Sequence, residues 1–177
     1  MLYHRTFSSQ RLSMVLITKE HASLLLPLLQ HPDLYTFLPQ DPPSLDKLEQ
    51  QYAFWEQRKS PDNSEYWLNW VIFLTDSQRA IGTLQAGIEL ATSQASIAYL
   101  IGTAFQRQGF ATEATSALID HLHQQYQVSS IKAWIDTRNT ASIRLVKKLG
   151  MRQVEFIAQA DHFKGQVSDE FVFQLDR

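Results

Sequence analysis

The sequence predicts a single α/β domain, and three observations carry that reading. The chain of 177 residues has the length of one domain. Its apolar periodicity is helical at first, becomes strand-like in the middle, and then alternates strand, helix, strand, helix, strand. No linker, internal repeat or low-complexity stretch divides it.

Arg11–Ile17 reads as the first strand, and Thr18 as the N-cap of a helix with Leu24, Leu25, Leu28 and Leu29 on its apolar stripe. Pro27 must kink or shorten that helix. His31–Pro39 is a turn-rich connector. Ser44 then caps a helix whose apolar face runs Leu45, Leu48, Tyr52, Trp55, and Pro61–Ser64 closes the region. Tyr66–Thr75, Ala80–Leu90 and Ala95–Ile101 are apolar runs with short polar connections, the pattern of an antiparallel meander. After Gly102 a long helix covers Gln108–Tyr126, with Ala111, Ala114, Leu118 and Leu122 on one face. Ile131–Asp136 is a strand. Asn139 caps a helix carrying Ile143, Val146 and Leu149, and Gly150 stands where a left-handed C-cap belongs. Strands near Gln153–Gln159 and Asp169–Leu175 complete the chain, with a hairpin at Phe163-Lys164-Gly165.

Composition narrows the function. A net charge of −2 and a pI near 6.3 argue against a general nucleic-acid binder, which is usually basic. The absence of cysteine excludes disulfides, zinc–thiolate sites and a thiol nucleophile. His121 and His123 are two apart on a helix and face different ways, so no metal site is expected. The start Met1–Thr6 lacks the apolar core of an export signal, and no apolar run approaches the length needed to span a bilayer. A cytoplasmic protein without membrane partners is expected.

Chemistry is concentrated in Tyr99–Ala114, where a strand runs through a turn into the long helix. Gly109 and Ala111 are small enough there to let a ligand approach the backbone. The free amides of a first helical turn favour phosphate, and Arg107 adds a cation. The segment is neither a P-loop nor a dinucleotide fingerprint, since it lacks Gly-Lys-Ser/Thr and the Gly-x-Gly-x-x-Gly spacing. The same small residues would also serve close helix–sheet packing.

Gln106-Arg107-Gln108-Gly109-Phe110-Ala111 resembles motif A of the GNAT N-acetyltransferase superfamily, Gln/Arg-x-x-Gly-x-Gly/Ala. About thirty residues downstream, Asn139-Thr140-Ala141-Ser142 through Lys148-Leu149-Gly150-Met151 resembles the family's Asn-x-x-Ser-x-x-Leu-x-x-Lys-x-Gly-Phe segment. Gln10-Arg11-Leu12 and His31-Pro32-Asp33 are similar to the opening of the branch that acetylates ribosomal-protein N-termini. The resemblance implies a mixed, centrally splayed sheet of about seven strands with about four helices. It also implies acetyl-CoA as co-substrate and an amine acceptor, either a protein N-terminus or a small amine. Amides of Arg107, Gln108, Gly109, Phe110, Ala111 and Thr112 would cradle the pyrophosphate. The backbone of Leu100 and Ile101 would pair with the pantetheine, and Asn139 would bond it from the next helix. Oligomeric state is left open, a homodimer included.

The catalytic residues are less sharply marked. Where many relatives carry a glutamate on the motif-A strand this chain has Ser96, and Val146 replaces the tyrosine acid of others. Ser142 is the candidate to protonate or hold the departing thiolate, and equally a first-turn residue supporting the Asn139 cap. Glu89 is the carboxylate named for the base, with a solvated strand end as its plain alternative and a water relay as another route. Asp136, Lys147 and Lys148 read as structural, and the tryptophans as packing residues. The rival to turnover is a CoA-binding module that has lost it.

Overall fold

A computed structural model of the protein describes residues 6–176; Met1–Arg5, most of the start read above for an export signal, lie outside the described residues. The elements are β1 (Thr6–Ser8), β2 (Leu12–Leu16), α1 (His21–Leu29), α2 (Leu45–Trp55), β3 (Glu65–Leu74), β4 (Ala80–Glu89), β5 (Gln94–Ile101), α3 (Phe110–Tyr126), β6 (Ser130–Asp136), α4 (Thr140–Lys148), β7 (Arg152–Phe163) and β8 (Gln166–Asp176). All strands lie in one sheet in the order β1-β2-β3-β4-β5-β6-β8-β7. The sheet has eight strands where about seven are expected, β1 being the addition. Three residues paired to the outer edge of β2 are too few to show an alternation in the sequence.

β3 to β5 form the expected meander, β2 pairs antiparallel to β3 after the chain has passed through α1 and α2, and β5–β6 is the parallel step in the sheet. β3 is covered on both sides, so Leu68, Trp70, Val71 and Ile72 are all fully buried in succession. Leu68, Trp70 and Ile72 pack with Leu84, Ile97, Leu118 and Val146 beneath α3 and α4. Val71 faces the other way, joining Ile17, Leu25, Leu29, Leu48 and Tyr52 under α1 and α2. No helix of the described residues is long and apolar enough to cross a membrane.

Local signals hold in most places. Ser44 Oγ accepts from Lys47 N, Asn139 Oδ1 accepts from Ser142 N at 3.1 Å, and Gly150 takes φ +85° after α4. Thr18 differs: α1 starts only at His21, because Thr18 instead closes a turn in which its carbonyl accepts from His21 N at 3.1 Å. Pro27 lies inside α1, which stops two residues later.

Asp136 fastens the end of β6. Its carboxylate accepts from Arg138 N at 2.8 Å, Arg138 Nε at 2.9 Å and Ser168 Oγ of β8 at 2.7 Å. Burial alone would raise its pKa, but these hydrogen bonds and the guanidinium charge outweigh burial and hold it at about 2. A folded pKa below the unfolded value of about 4 stabilises the protein above that value. The contribution, about 2 kcal/mol, is lost as pH falls from about 4 through 2. Asp136→Asn should therefore lower stability by about this amount in denaturant titrations at pH 7, and the difference from wild type should shrink toward pH 2.

Candidate functional site

Parallel pairing between β5 and β6 covers only Gln94↔Ser130, Ala95↔Ile131 and Ser96↔Lys132. Beyond Ser96 the strands part, while β5 stays paired to β4 and β6 to β8 along their lengths. The result is a fork between Ile97–Ile101 and Ala133–Asp136. Gly102 N donates to Ile81 O at 2.9 Å, which makes Gly82–Ile101 a non-hydrogen-bonded pair of the antiparallel ladder. The main-chain groups of Ile101, and by alternation those of Tyr99 and Ile97, therefore face the fork. Those of Leu100 are spent on β4. Of the two strand residues singled out in the sequence, Ile101 borders the fork with its backbone and Leu100 does not; Tyr99 does. Ile101 O is itself taken by Gln106 Nε2 at 3.0 Å.

The turn above the fork is set by two left-handed residues, Arg107 at φ +61° and Gly109 at φ +83°. For Gly109 that conformation carries little strain; for a side-chain-bearing residue it is unfavourable. Among the described residues, no protein acceptor takes the main-chain amides of Arg107, Gln108, Gly109, Phe110, Ala111 and Thr112. Six amides thus gather at the positive end of a 17-residue helix, beside the exposed Arg107. Such a cluster of free amides has the chemistry to hold an anion.

The turn is braced from the β1–β2 connection. Arg11 Nε meets Glu113 Oε2 at 2.7 Å, Arg11 N and Ser9 Oγ donate to Glu113 Oε1 at 2.8 and 2.7 Å, and Arg11 Nη1 reaches Gln108 O at 3.2 Å. The guanidinium also lies over the Phe110 ring, 4.4 Å from its centroid. Burial acts to raise the Glu113 pKa, but Ser9 and Arg11 more than offset it and leave the carboxyl below its usual range. A carboxylate in the first turn of α3 is thereby neutralised and does not repel an anion above it.

On the α3/α4 side of the fork, Asn139 and the half-buried Ser142 open α4, and Ser142 approaches the Tyr99 hydroxyl. Ser142 is brought to the fork, as its sequence position implied. Glu89 is not: it ends β4 opposite Gln94, exposed, accepting from Thr92 Oγ1 at 2.5 Å. That is the closed end of the fork, six residues or about 20 Å along the sheet from Leu100.

The α1/α2 side carries residues that the sequence did not single out for the site. Ser96 and Lys132, Trp134, and Asp136 with Glu170 share this face by register. Trp134 is 47% exposed there, not a packing residue. Glu170 is half-buried, and its pKa is raised by burial first and then by the nearby charges of Asp161 and Asp136. The β7–β8 hairpin closes over this side: Lys164 Nζ donates to the carbonyls of Tyr35 and, at 3.2 Å, Gln40 in the α1–α2 connection. These groups escaped notice because they meet only through pairing of distant strands.

Comparison with known proteins fits this geometry. The family described as acetyltransferase (GNAT) domain matches residues 11–152. The uncharacterized N-acetyltransferase p20 of Bacillus licheniformis is 29% identical over 105 residues, 59% of each chain, so the match spans under two thirds of that relative. A ribosomal L7/L12 alpha-N-protein acetyltransferase in complex with coenzyme A superposes with a TM-score of 0.85 at 18% identity, over 95% of both chains. The spermidine N-acetyltransferase of Vibrio cholerae, in complex with CoA and spermine, gives 0.81 at 17% identity, over 94% of this chain and 95% of that one. At these identities the solved structures speak for the fold.

The Arg11 brace can be tested without ligand. Glu113→Gln should speed hydrogen exchange of the bonded amides beside the turn, that of Gln106 and those of residues 113–116, while leaving those of β3 unchanged, and should cost no more than about 1 kcal/mol because Arg11 is largely exposed.

Proposed function

The chain belongs to the GNAT acetyltransferase family, and from that premise we propose that it moves an acetyl group from acetyl-CoA to a primary amine by direct attack in a ternary complex. The observation that carries the reading is the fork lying directly below six unused amides at the start of α3. In this reading the amides from Arg107 to Thr112 and the Arg107 side chain hold the pyrophosphate. The pantetheine runs down the free edge of β5 past Ile101 and Tyr99. Asn139 contributes its side-chain NH2, since its Oδ1 is spent on Ser142 N. The thioester then lies in the fork beside Ser142, which hydrogen-bonds the departing sulfur.

The acceptor arrives from the α1/α2 side, between the β7–β8 hairpin and the α1–α2 connection. An amine must be neutral to attack. Glu89 is too distant to take its proton, so a water relay ending at Glu170 supplies that function. A carboxylate whose pKa is raised is a better base than an ordinary one. Glu170 and Asp161 on this face also favour a cationic amine, a protein N-terminus or a small polyamine-like molecule.

Calorimetric titration with acetyl-CoA tests the first half of the reading. Saturable binding is expected, weakened about tenfold or more in Gly109→Glu, which strains a left-handed position and sets an anion in the cradle. Absence of binding by folded wild type would overturn both the transferase and a CoA-binding module. Release of CoA thiol across a panel of N-terminal peptides and polyamines tests the second half. Binding without release would leave the module alone. Where release occurs, Glu170→Gln should lower kcat by about tenfold or more and leave acetyl-CoA affinity intact.

A further inference from the structure

Tyr99 stands on β5 three residues past the last pair of the parallel ladder, with its main chain on the open fork. Its side chain shares a face with Ile97 and Ile101, both buried, and so points to the α3/α4 side. The phenol oxygen is buried and makes no hydrogen bond of ordinary geometry among the described residues. The polar side chain that approaches it is Ser142, in the first turn of α4 on the opposite bank. Tyr99 therefore reaches across the fork from one strand block to the other.

A buried hydroxyl left unpaired costs about 1–3 kcal/mol, and such a group in a folded protein calls for an explanation. Asn139 Oδ1, at the cap of α4, is already taken by Ser142 N. The inner face of α4 offers no second donor, because Val146 is apolar and fully buried. The buried hydroxyl therefore lies unpaired beside Ser142, on a residue whose main chain borders the fork.

We propose that Tyr99 is a catalytic residue, whose phenol donates to the CoA sulfur as the acetyl group leaves, with Ser142 beside it. This rests on the transferase reading above. The amine lone pair forms the C–N bond, the C–S bond breaks, and its electron pair goes to sulfur. Sulfur takes the phenol proton, giving CoA thiol. The proton shed by the acylated nitrogen leaves through the water relay to Glu170, and a proton from water, passed through Ser142, restores the phenol. Acetyl-CoA and amine become amide and CoA, with nothing left over. Burial raises the Tyr99 pKa, partly opposed by Ser142, so the group is a phenol and not a phenolate at neutral pH. A phenol is a weaker acid than a thiol, so its proton moves only in concert with departure of the sulfur.

Tyr99→Phe keeps the ring and removes the hydroxyl. It should melt at or above the wild-type temperature, since an unpaired polar atom is lost. The chain has no cysteine, so in a complex with CoA the ultraviolet absorbance of thiolate reports the ligand alone. A donor to sulfur favours the thiolate, so the thiol of bound CoA should titrate about one pH unit lower on wild type than on the variant. With an acceptor found in the panel, kcat should fall about tenfold or more while the Kd for acetyl-CoA stays within about twofold. Equal thiol titration on the two proteins would overturn the proposal. Loss of acetyl-CoA affinity with kcat unchanged would do so too, making Tyr99 a pantetheine contact. The thiol titration needs no acceptor, so it stands even if no amine on the panel is acetylated.

Discussion

A three-residue parallel ladder, Gln94–Ser96 against Ser130–Lys132, extended by the bond from Ser129 N to Ser93 O at 3.0 Å, joins the two halves of the sheet through their main chains. On one side β1 to β5 form an antiparallel block, and on the other β6, β8 and β7 form a second. Each block is held internally by its own ladders, so the strands between them can part without unravelling either. A gap in a sheet leaves buried amides and carbonyls unpaired, and that normally costs stability. Here the cost is contained, because a single apolar core bridges the halves: Ile97 and Ile101 of β5 pack in the same cluster as Ile131, Ile135 and Phe173 of the second block, with α3 and α4 lying across both. The opening is a consequence of the topology, not of a loose region.

The turn above the fork depends on the same division. β5 delivers the chain to the turn at Gly102, and two left-handed residues swing the backbone so that α3 begins with its amides unspent. Arg11 then ties the turn to the β1–β2 connection, answering the Glu113 carboxylate and the Gln108 carbonyl together. A site ordered before its ligand arrives avoids the entropic cost of ordering on binding. Charge placement suits the proposed ligand, with the helix dipole and the exposed Arg107 beside the turn and the Glu113 carboxylate already answered by Arg11.

What could be read from the sequence was whatever is local in the chain. The Asn139 cap, the Gly150 C-cap, the meander and the turn at Gly109 each depend on residues within a few positions of one another, and each is where it was expected. The errors concern phase and reach. The apolar run shows that Ala95–Ile101 is a strand, but only the Gly102–Ile81 hydrogen bond decides that Tyr99, not Leu100, turns its backbone to the fork. Glu89 is close to the motif in sequence, yet a hairpin carries it to the closed end. Glu170 and Trp134 reach the fork from β8 and β6 through register alone, and no spacing in the chain could have announced them.

The two sides of the fork differ in chemistry, and the difference suits the proposed transfer. Toward α3 and α4 lie hydroxyls, those of Tyr99 and Ser142, in largely apolar surroundings. Toward α1 and α2 lie carboxylates, among which Glu170 is the one held above its usual pKa. Acetyl transfer needs a proton taken from nitrogen and a proton supplied at sulfur, two atoms that leave the same carbonyl carbon in different directions. Placing hydroxyl donors on one bank and carboxylate acceptors on the other sets each beside the atom it serves in the proposed transfer, with the fork as the passage through which the reacting atoms meet. The same strands that fail to pair thus provide both the space for the thioester and the wall that separates its acid from its base.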